Sequence, residues 1–334
     1  MLLSILVISH NQQNQLKRCL DSILTMPLPF EHEIIISDDA SNDGTWELAQ
    51  DYASRYTEIS AYQCNTDDYN PKIKSERSGW NRCNAYKHAT GKYIAHIDGD
   101  DFFINGSDVY KRQVELLEQH PECSCCMAND FDLTDGDDLI SATVRHKEKF
   151  ETGYVLPSKD YISKYFRESH VFVYRRNTSV DPVSLYGGYY VDTVITDHHL
   201  QFGDIVCLDD AGYVYVHYKS SIWTKVSASS DYIAFSHVLY IPLLIPKWKP
   251  VFYSSQYHLG WMLKAIWLAR SGYCLSEDNL KWVRRFDLYI YKVFNREIKF
   301  MDKVHLGLLA RYIKLLIKWK PSFGLPYKII SLFL

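Results

Sequence analysis

Apolar runs alternate with stretches of helical spacing through the first hundred positions. "LLSILVI" (2–8) is too short for a helix and suits a strand buried on both faces. Leu16, Leu20, Ile23 and Leu24 then recur at helical spacing, and Pro27 and Pro29 close that helix. "EIIIS" (33–37) predicts a second strand. The turn-rich "DDASNDGT" follows it, with Thr45 as the expected cap of a helix over "WELAQDYASRY". "ISAYQ" (59–63), residues 79–89 and "KYIAHI" (92–97) continue the series as strand, helix and strand. Strands joined by helices of this length imply right-handed crossovers and a doubly wound parallel sheet, an α/β fold.

After Pro121 the alternation fades into α+β material that completes the same domain: strand-like "SHVFVYRR" (169–176), a glycine-containing stretch (186–202), then strand-like "DIVCLDD" and "GYVYVHY" within 204–218. From about residue 226 the chain turns aromatic, basic and helical, which divides it into 1–225 and 226–334. Charge follows that division. Residues 1–230 hold 21 Lys+Arg against 34 Asp+Glu, a net −13, and residues 231–334 hold 16 against 6, a net +10. Two regions with different partners are expected.

The eight cysteines lack paired spacing, and "MLLSILVIS" lacks the basic lead of a secretory signal, so reduced thiols and a cytoplasmic location are expected. Cys123, Cys125 and Cys126 with His120 offer metal ligands on paper. Without C-x-x-C spacing they read instead as small hydrophobes of a core strand. No uninterrupted apolar run is long enough to predict a membrane-spanning helix.

Ligands of open α/β sheets bind beyond the carboxyl ends of the strands. That rule gathers "SHN" (9–11), "SDDASNDGT" (37–45) and "DGDD" (98–101) at one rim. Three carboxylates within four positions repel one another and need a compensating cation. Oxygen-only ligands suit Mg²⁺ or Mn²⁺ bridged to a substrate's phosphates, where the metal would neutralise a departing diphosphate. Alone, "DGDD" stays open between that site and an acidic turn favoured by the start of the helix "SDVYKRQVELLEQH". Its place beside "SDDASNDGT" favours the metal.

"SILVISHN", "LKRCLDSIL", "EIIISDDASNDGT" and "ATGKYIAHIDGDD", with "ITDHHLQF" further on, fall in the order and spacing of the family 2 glycosyltransferases. The chain resembles these nucleotide-sugar enzymes of the GT-A fold over about a third of its length directly, and over 1–225 by implication. The resemblance implies a GT-A, Rossmann-like nucleotide-binding domain with a mostly parallel central sheet, followed by a C-terminal α-helical region.

Site roles follow from the same resemblance. Ser9, His10 and Asn11 are expected against the nucleobase and ribose, with His10 where tyrosine is common. Asp39 is expected to accept from the base, with Asp38 beside it. Asp98 and Asp100 form the D-x-D element, Asp98 nearer the ribose and Asp100 on the metal, with Asp101 in close support. Arg82 takes the arginine position ahead of A-x-G and faces the diphosphate or solvent, while Cys83 stands where asparagine is usual. His217 falls where relatives carry a histidine that closes over the diphosphate and reaches the metal, or is a plain strand-end residue. An inverting transfer needs a general base for the acceptor hydroxyl. Asp197, at the expected start of a late helix, is the candidate, and Asp192 is the fallback.

In the tail, Arg311, Lys314 and Lys318 share a helix with Leu309, Ile313, Leu316 and Ile317, and no acid follows Asp302. That mixture suits a helix lying on an anionic membrane surface. A cap on the first domain and a homodimer interface are the other readings. Nucleic acid is disfavoured because the first domain is acidic.

The expected activity is therefore a Mn²⁺- or Mg²⁺-dependent, inverting transfer from a nucleotide-diphosphate sugar, a UDP-sugar above all. Its acceptor would be a glycan or lipid-linked glycan of the cell surface, reached from the inner face of the membrane. A Mg²⁺-dependent phosphatase or nucleotidyltransferase would want a nucleophilic Asp or a Gly-rich loop with Lys after the first strand, and "SHNQQN" supplies neither. A degenerate membrane-associated scaffold is the non-enzymatic alternative, motivated by Cys83 and Thr196.

Overall fold

The computed structural model describes residues 1–64, 74–145, 150–164, 171–219, 244–248 and 251. The chain divides into two compact units, Met1–Thr224 and Lys225–Leu334. The expected basic helix around Arg311, Lys314 and Lys318 lies outside the described residues. Among the described residues no helix is long and apolar enough to cross a membrane.

The first unit opens with β1 (Leu3–Ser9), α1 (Gln13–Leu24), β2 (His32–Asp38), α2 (Thr45–Arg55), β3 (Ile59–Gln63), α3 (Lys74–His88) and β4 (Tyr93–Asp98). Then come β5 (Phe102–Phe103), α4 (Val109–Gln119), β6 (Cys123–Thr134), β7 (Thr143–Val144) and β8 (Val155–Leu156). It closes with α5 (Ser158–Lys164), β9 (Phe172–Arg175), α6 (Pro182–Tyr186), α7 (Asp192–His199) and β10 (Asp204–His217). The strands form one sheet in the order β3-β2-β1-β4-β9-β6-β10-β5, with β7 on β6 and β8 on β10.

β1, β2, β3 and β4 pair in parallel, as do β6 and β10. β9 runs antiparallel between β4 and β6 within a sheet whose long pairings are parallel, the mostly parallel sheet that was expected. Every residue of β1 is buried, as a strand covered on both faces requires. Leu16, Cys19, Leu20 and Ile23 of α1 pack beneath it with Val114 and Leu117 of α4. Cys123, Cys125 and Cys126 are buried in β6, as the core-strand reading expects.

Two local expectations change. Thr45 does not cap α2: Gly44, at φ 92°, holds the cap position, and Asp43 accepts from the Thr45 amide and hydroxyl. Glycine alone takes that left-handed turn cheaply. "DIVCLDD" and "GYVYVHY" are one strand, β10, whose register shifts near Ala211 absorb the polar Asp209 and Asp210.

Candidate active site

The register Ser9↔Asp38 and Ile8↔Asp98 brings the carboxyl ends of β1, β2 and β4 side by side. α3 fastens this rim. Asn81 donates to the Ser9 carbonyl at 3.1 Å and accepts from Ser37 Oγ at 2.5 Å. Beyond β2, the buried Asp38 accepts from the Ser41 amide and hydroxyl and so shapes the loop; Ser9 Oγ also points to Asp38. Asn11 and Ala40 take left-handed conformations, φ 52° and 50°, and Asn11 ties the two loops by donating its amide to Ser41 Oγ and accepting from the Asn42 amide through Oδ1. His10 donates through Nδ1 to the Asp39 carbonyl at 2.7 Å, and the Asp39 carboxylate accepts from Arg77 Nε at 2.8 Å. His10 and Asn11 are exposed, whereas Ser9, Asp38 and Asp39 are buried.

"DGDD" turns tightly because Gly99 donates its amide to the Ile8 carbonyl at 2.8 Å. A Cβ at Gly99 would lie 2.9 Å from that carbonyl oxygen. Asp101, 2% exposed, spends both oxygens inside the protein: Oδ2 accepts from the Tyr213 hydroxyl at 2.5 Å and Oδ1 from the Val216 amide at 2.9 Å. Burial, then the charges of Asp100 and Asp98, push its pKa well up. Burial likewise raises the Asp100 carboxyl. Arg18 donates to the Asp100 backbone carbonyl at 3.0 Å and to the Tyr218 hydroxyl at 2.7 Å, with its guanidinium stacked on Phe102.

The donor chemistry fits a hard divalent cation. A carboxylate disfavoured in its charged form by burial gains most from a cation beside it. Asp98 and Asp100 would hold such an ion with water and a diphosphate filling the rest of its shell. Asp101, with both oxygens engaged by Tyr213 and Val216, braces the turn against β10. His217 donates through Nε2 to Asp132 Oδ1 at 2.8 Å, on an oxygen that Arg145 also uses. Only Nδ1 of His217 is left for a ligand. Elsewhere, His120, Glu122 and Cys123 bring ligand atoms within 4.8 Å of one another, but burial and Glu122 push the Cys123 thiol up to about 12. A protonated thiol is a poor metal ligand.

Along β4, Tyr93, Ala95 and Ile97 enter the core, so His96 and Asp98 share the opposite face. There a pocket is walled by Arg82 of α3, Asp98, Asp192 of α7, Tyr174 of β9 and Tyr215 of β10, with Asp101 and His96 also lining it. Arg82, 4% exposed, places one guanidinium nitrogen 2.7 Å from Asp98 Oδ1 and 2.5 Å from Asp192 Oδ1. Burial opposes its charge, and Asp192 and Asp98 outweigh that, so its pKa is raised. Gly79 of α3 permits this approach, since a Cβ there would meet the Gly188 carbonyl oxygen at 1.9 Å, just ahead of α7. Cys83 donates to the neighbouring Gly187 carbonyl at 3.3 Å, a use that asparagine would not serve as compactly.

α7 begins at Asp192, not near Asp197, which corrects the expected start of the late helix. Asp197 falls in the last turn, 1% exposed, and does not line the pocket; Asp192, with a side chain 64% exposed, does. The boundary was missed because "VDTVITDHHL" is short and uniformly buried after Asp192, leaving no exposed polar face to mark its start. Arg77 and His96 were also missed. Arg77 preceded the expected helix start at 79; His96 looked like one polar residue in an apolar strand.

Residues 4–179 match the family described as Glycosyl transferase family 2. An uncharacterized protein of Mycobacterium tuberculosis is 27% identical over 225 residues, 66% of this chain and 60% of that protein. This chain therefore spans less than two thirds of that relative. The poly(ribitol-phosphate) beta-glucosyltransferase of Bacillus spizizenii is 30% identical over 121 residues, 36% of this chain and 18% of that one. Among solved structures, residues 1–349 of S. aureus TarS with UDP-GlcNAc share the fold with a TM-score of 0.52, at 16% identity, over 91% of this chain and 78% of that one.

Proposed function

Because the chain belongs to glycosyl transferase family 2, we propose that it transfers a sugar from a nucleoside diphosphate to an acceptor hydroxyl with inversion, in the pocket between β4 and α7. The Asp98–Arg82–Asp192 bridge carries this reading. It sets a donor-side carboxylate and a solvent-open carboxylate on opposite sides of one small pocket, with a buried cation between them.

The nucleotide lies across the β1 and β2 loops, its base against Asp39 and His10 and its ribose toward Asp98. Arg82 faces the diphosphate. A divalent cation, Mn²⁺ or Mg²⁺, held by Asp98 and Asp100 would neutralise the diphosphate's charge as it leaves. Asp192 accepts the acceptor hydroxyl's proton. As it does so the acceptor oxygen bonds to the anomeric carbon, and the bond from that carbon to the diphosphate oxygen breaks with its electron pair on the nucleotide. Asp197 is too buried to serve in that role.

Uridine is our choice of nucleotide, with the UDP-GlcNAc in S. aureus TarS as precedent on this fold. A cell-surface glycan or lipid-linked glycan is our choice of acceptor, supported by the poly(ribitol-phosphate) relative. The net +10 of residues 231–334 supports work at the inner, anionic face of the membrane.

The test is hydrolysis and transfer across a panel of nucleotide sugars, with Asp192→Asn and Asp197→Asn alongside. Asp192→Asn should lose about 100- to 10,000-fold in transfer rate while binding donor as before. Wild-type turnover in Asp192→Asn would overturn the assignment of the base, and no turnover of any donor by the wild type would overturn the enzyme.

A further inference from the structure

The floor of the pocket holds a polar group that the reaction as drawn does not use. His96 lies on β4 two residues before Asp98, on the same face, deeper along the strand than the D-x-D turn. Its ring lines the pocket with Arg82, Asp98, Asp192, Tyr174 and Ile195. Both ring nitrogens are shut off from solvent, and among the described residues neither has a hydrogen-bond partner. The nearest aromatic neighbours, Tyr174 and Tyr190, stand edge-on to the imidazole at 6.2 and 5.9 Å between centroids and satisfy neither nitrogen.

Buried polar atoms are nearly always paired, and an orphaned donor and acceptor on one ring is a costly exception that calls for a reason. Stacking does not supply it, because phenylalanine or leucine would fill an aromatic floor without that penalty. A neutral imidazole offers one N–H donor and one lone-pair acceptor, the complement of an alcohol, which can accept and donate at one oxygen. A diphosphate or a metal would be the wrong guest. The first could use only the donor nitrogen, and the second only the acceptor nitrogen, so either leaves half of the ring unpaired.

We propose that His96 reads a hydroxyl of the donor sugar and sets which hexose the enzyme accepts. The inference rests on the transferase reading above. With the diphosphate at Asp98 and Asp100, the sugar is the part of the donor that extends into the space between Asp192 and His96. Asp192 must face the anomeric carbon, so His96 beneath it meets a hydroxyl further round the ring. Selection by such a pair is strict, because a donor whose hydroxyl is absent or inverted leaves both nitrogens orphaned in the complex.

The experiment compares wild type with His96→Phe and His96→Gln on a set of nucleotide hexoses that includes epimers and deoxy sugars. His96→Phe should reduce kcat/KM for the preferred donor about 10- to 100-fold and leave the donor lacking one particular hydroxyl nearly unchanged, so that their ratio collapses. His96→Gln, which keeps a donor and an acceptor, should restore part of the ratio. The melting temperature of ligand-free His96→Phe should rise, since the orphaned atoms are gone, while its shift on adding the preferred donor shrinks. Equal loss on every donor, or an unchanged ratio in His96→Phe, would overturn the assignment. A wild type inactive on all donors would overturn the transferase reading itself, so the two failures are told apart.

Discussion

Arg82 and Asp192 meet at 2.5 Å across the mouth of the pocket, and the same guanidinium nitrogen reaches Asp98 at 2.7 Å. One buried cation thus ties α3 to both β4 and α7. Arg82→Met leaves two carboxylates facing each other. Both are partly solvated, so the loss of stability should be about 1–2 kcal/mol rather than the 3–5 typical of a fully buried pair. A double-mutant cycle with Asp192→Asn, read by denaturant melts, should show coupling of at least about 0.5 kcal/mol. Additive losses would mean that the bridge does not link the helices.

Asp100 carries the cation prediction. Its carboxyl is raised by burial, so ionising it costs stability that a bound divalent ion returns. Adding Mn²⁺ with UDP should raise the wild-type melting temperature. Asp100→Asn should melt at or above the apo wild type and lose the Mn²⁺-dependent rise. A full metal response in Asp100→Asn would place the ion elsewhere.

Asp101 separates a ligand from a brace. Tyr213→Phe removes the hydroxyl that donates to Asp101 Oδ2. It should cost about 1–3 kcal/mol, seen as a melting temperature lower by several degrees, because a buried carboxylate is left one donor short. The metal response should persist. If Tyr213→Phe lost the metal response at unchanged stability, Asp101 would belong on the ion.

The rim was legible because its signals are local. An apolar run ending in "SDD" or "DGDD" declares both a strand and what lies at its end. What was not legible depends on chain segments far apart. Whether Asp192 or Asp197 faces the pocket turns on where α7 begins, and the segment ahead of it packs its Gly188 carbonyl against Gly79 of α3, more than a hundred residues away. β9 enters the sheet antiparallel between β4 and β6, a pairing that "HVFVYRR" alone does not announce. His96 reads as a strand residue until the absence, among the described residues, of a hydrogen-bond partner for its ring is seen in three dimensions.

Ala40 follows Asp39 at φ 50°, a conformation in which a Cβ costs roughly 1 kcal/mol. It follows the Asp39 carbonyl that accepts from His10, in the loop on which the nucleobase is proposed to rest. Ala40→Gly should be neutral to slightly stabilising, within about 1 kcal/mol, since relief of strain offsets a more flexible unfolded chain. Ala40→Val should destabilise by about 1–2 kcal/mol and raise the donor KM with kcat little changed. A Val variant with wild-type KM would show that this loop does not position the nucleotide.

Acid should weaken the fold around α7. Burial depresses the pKa of His198 to about 4 and that of His199 further below its ordinary value. A base whose folded pKa lies below its unfolded 6.5 takes up more protons when unfolded, so stability is complete above pH 6.5 and falls as pH drops from 6.5 toward 4. His198 can contribute up to about 3 kcal/mol to that loss, and His199 acts in the same direction. Asp100 and Asp101, with raised pKa values, act in the opposite sense: they favour the folded state at low pH and are relieved by a cation at high pH. Comparing wild type with His199→Phe cancels the carboxyl contribution. Stability measured by urea melts from pH 7 to pH 4.5 should fall less steeply in the variant, and equal slopes would mean that His199 is not held neutral. Because Asp192 opens the same helix, the loss of stability should be preceded by a loss of transfer that returns when the pH is restored.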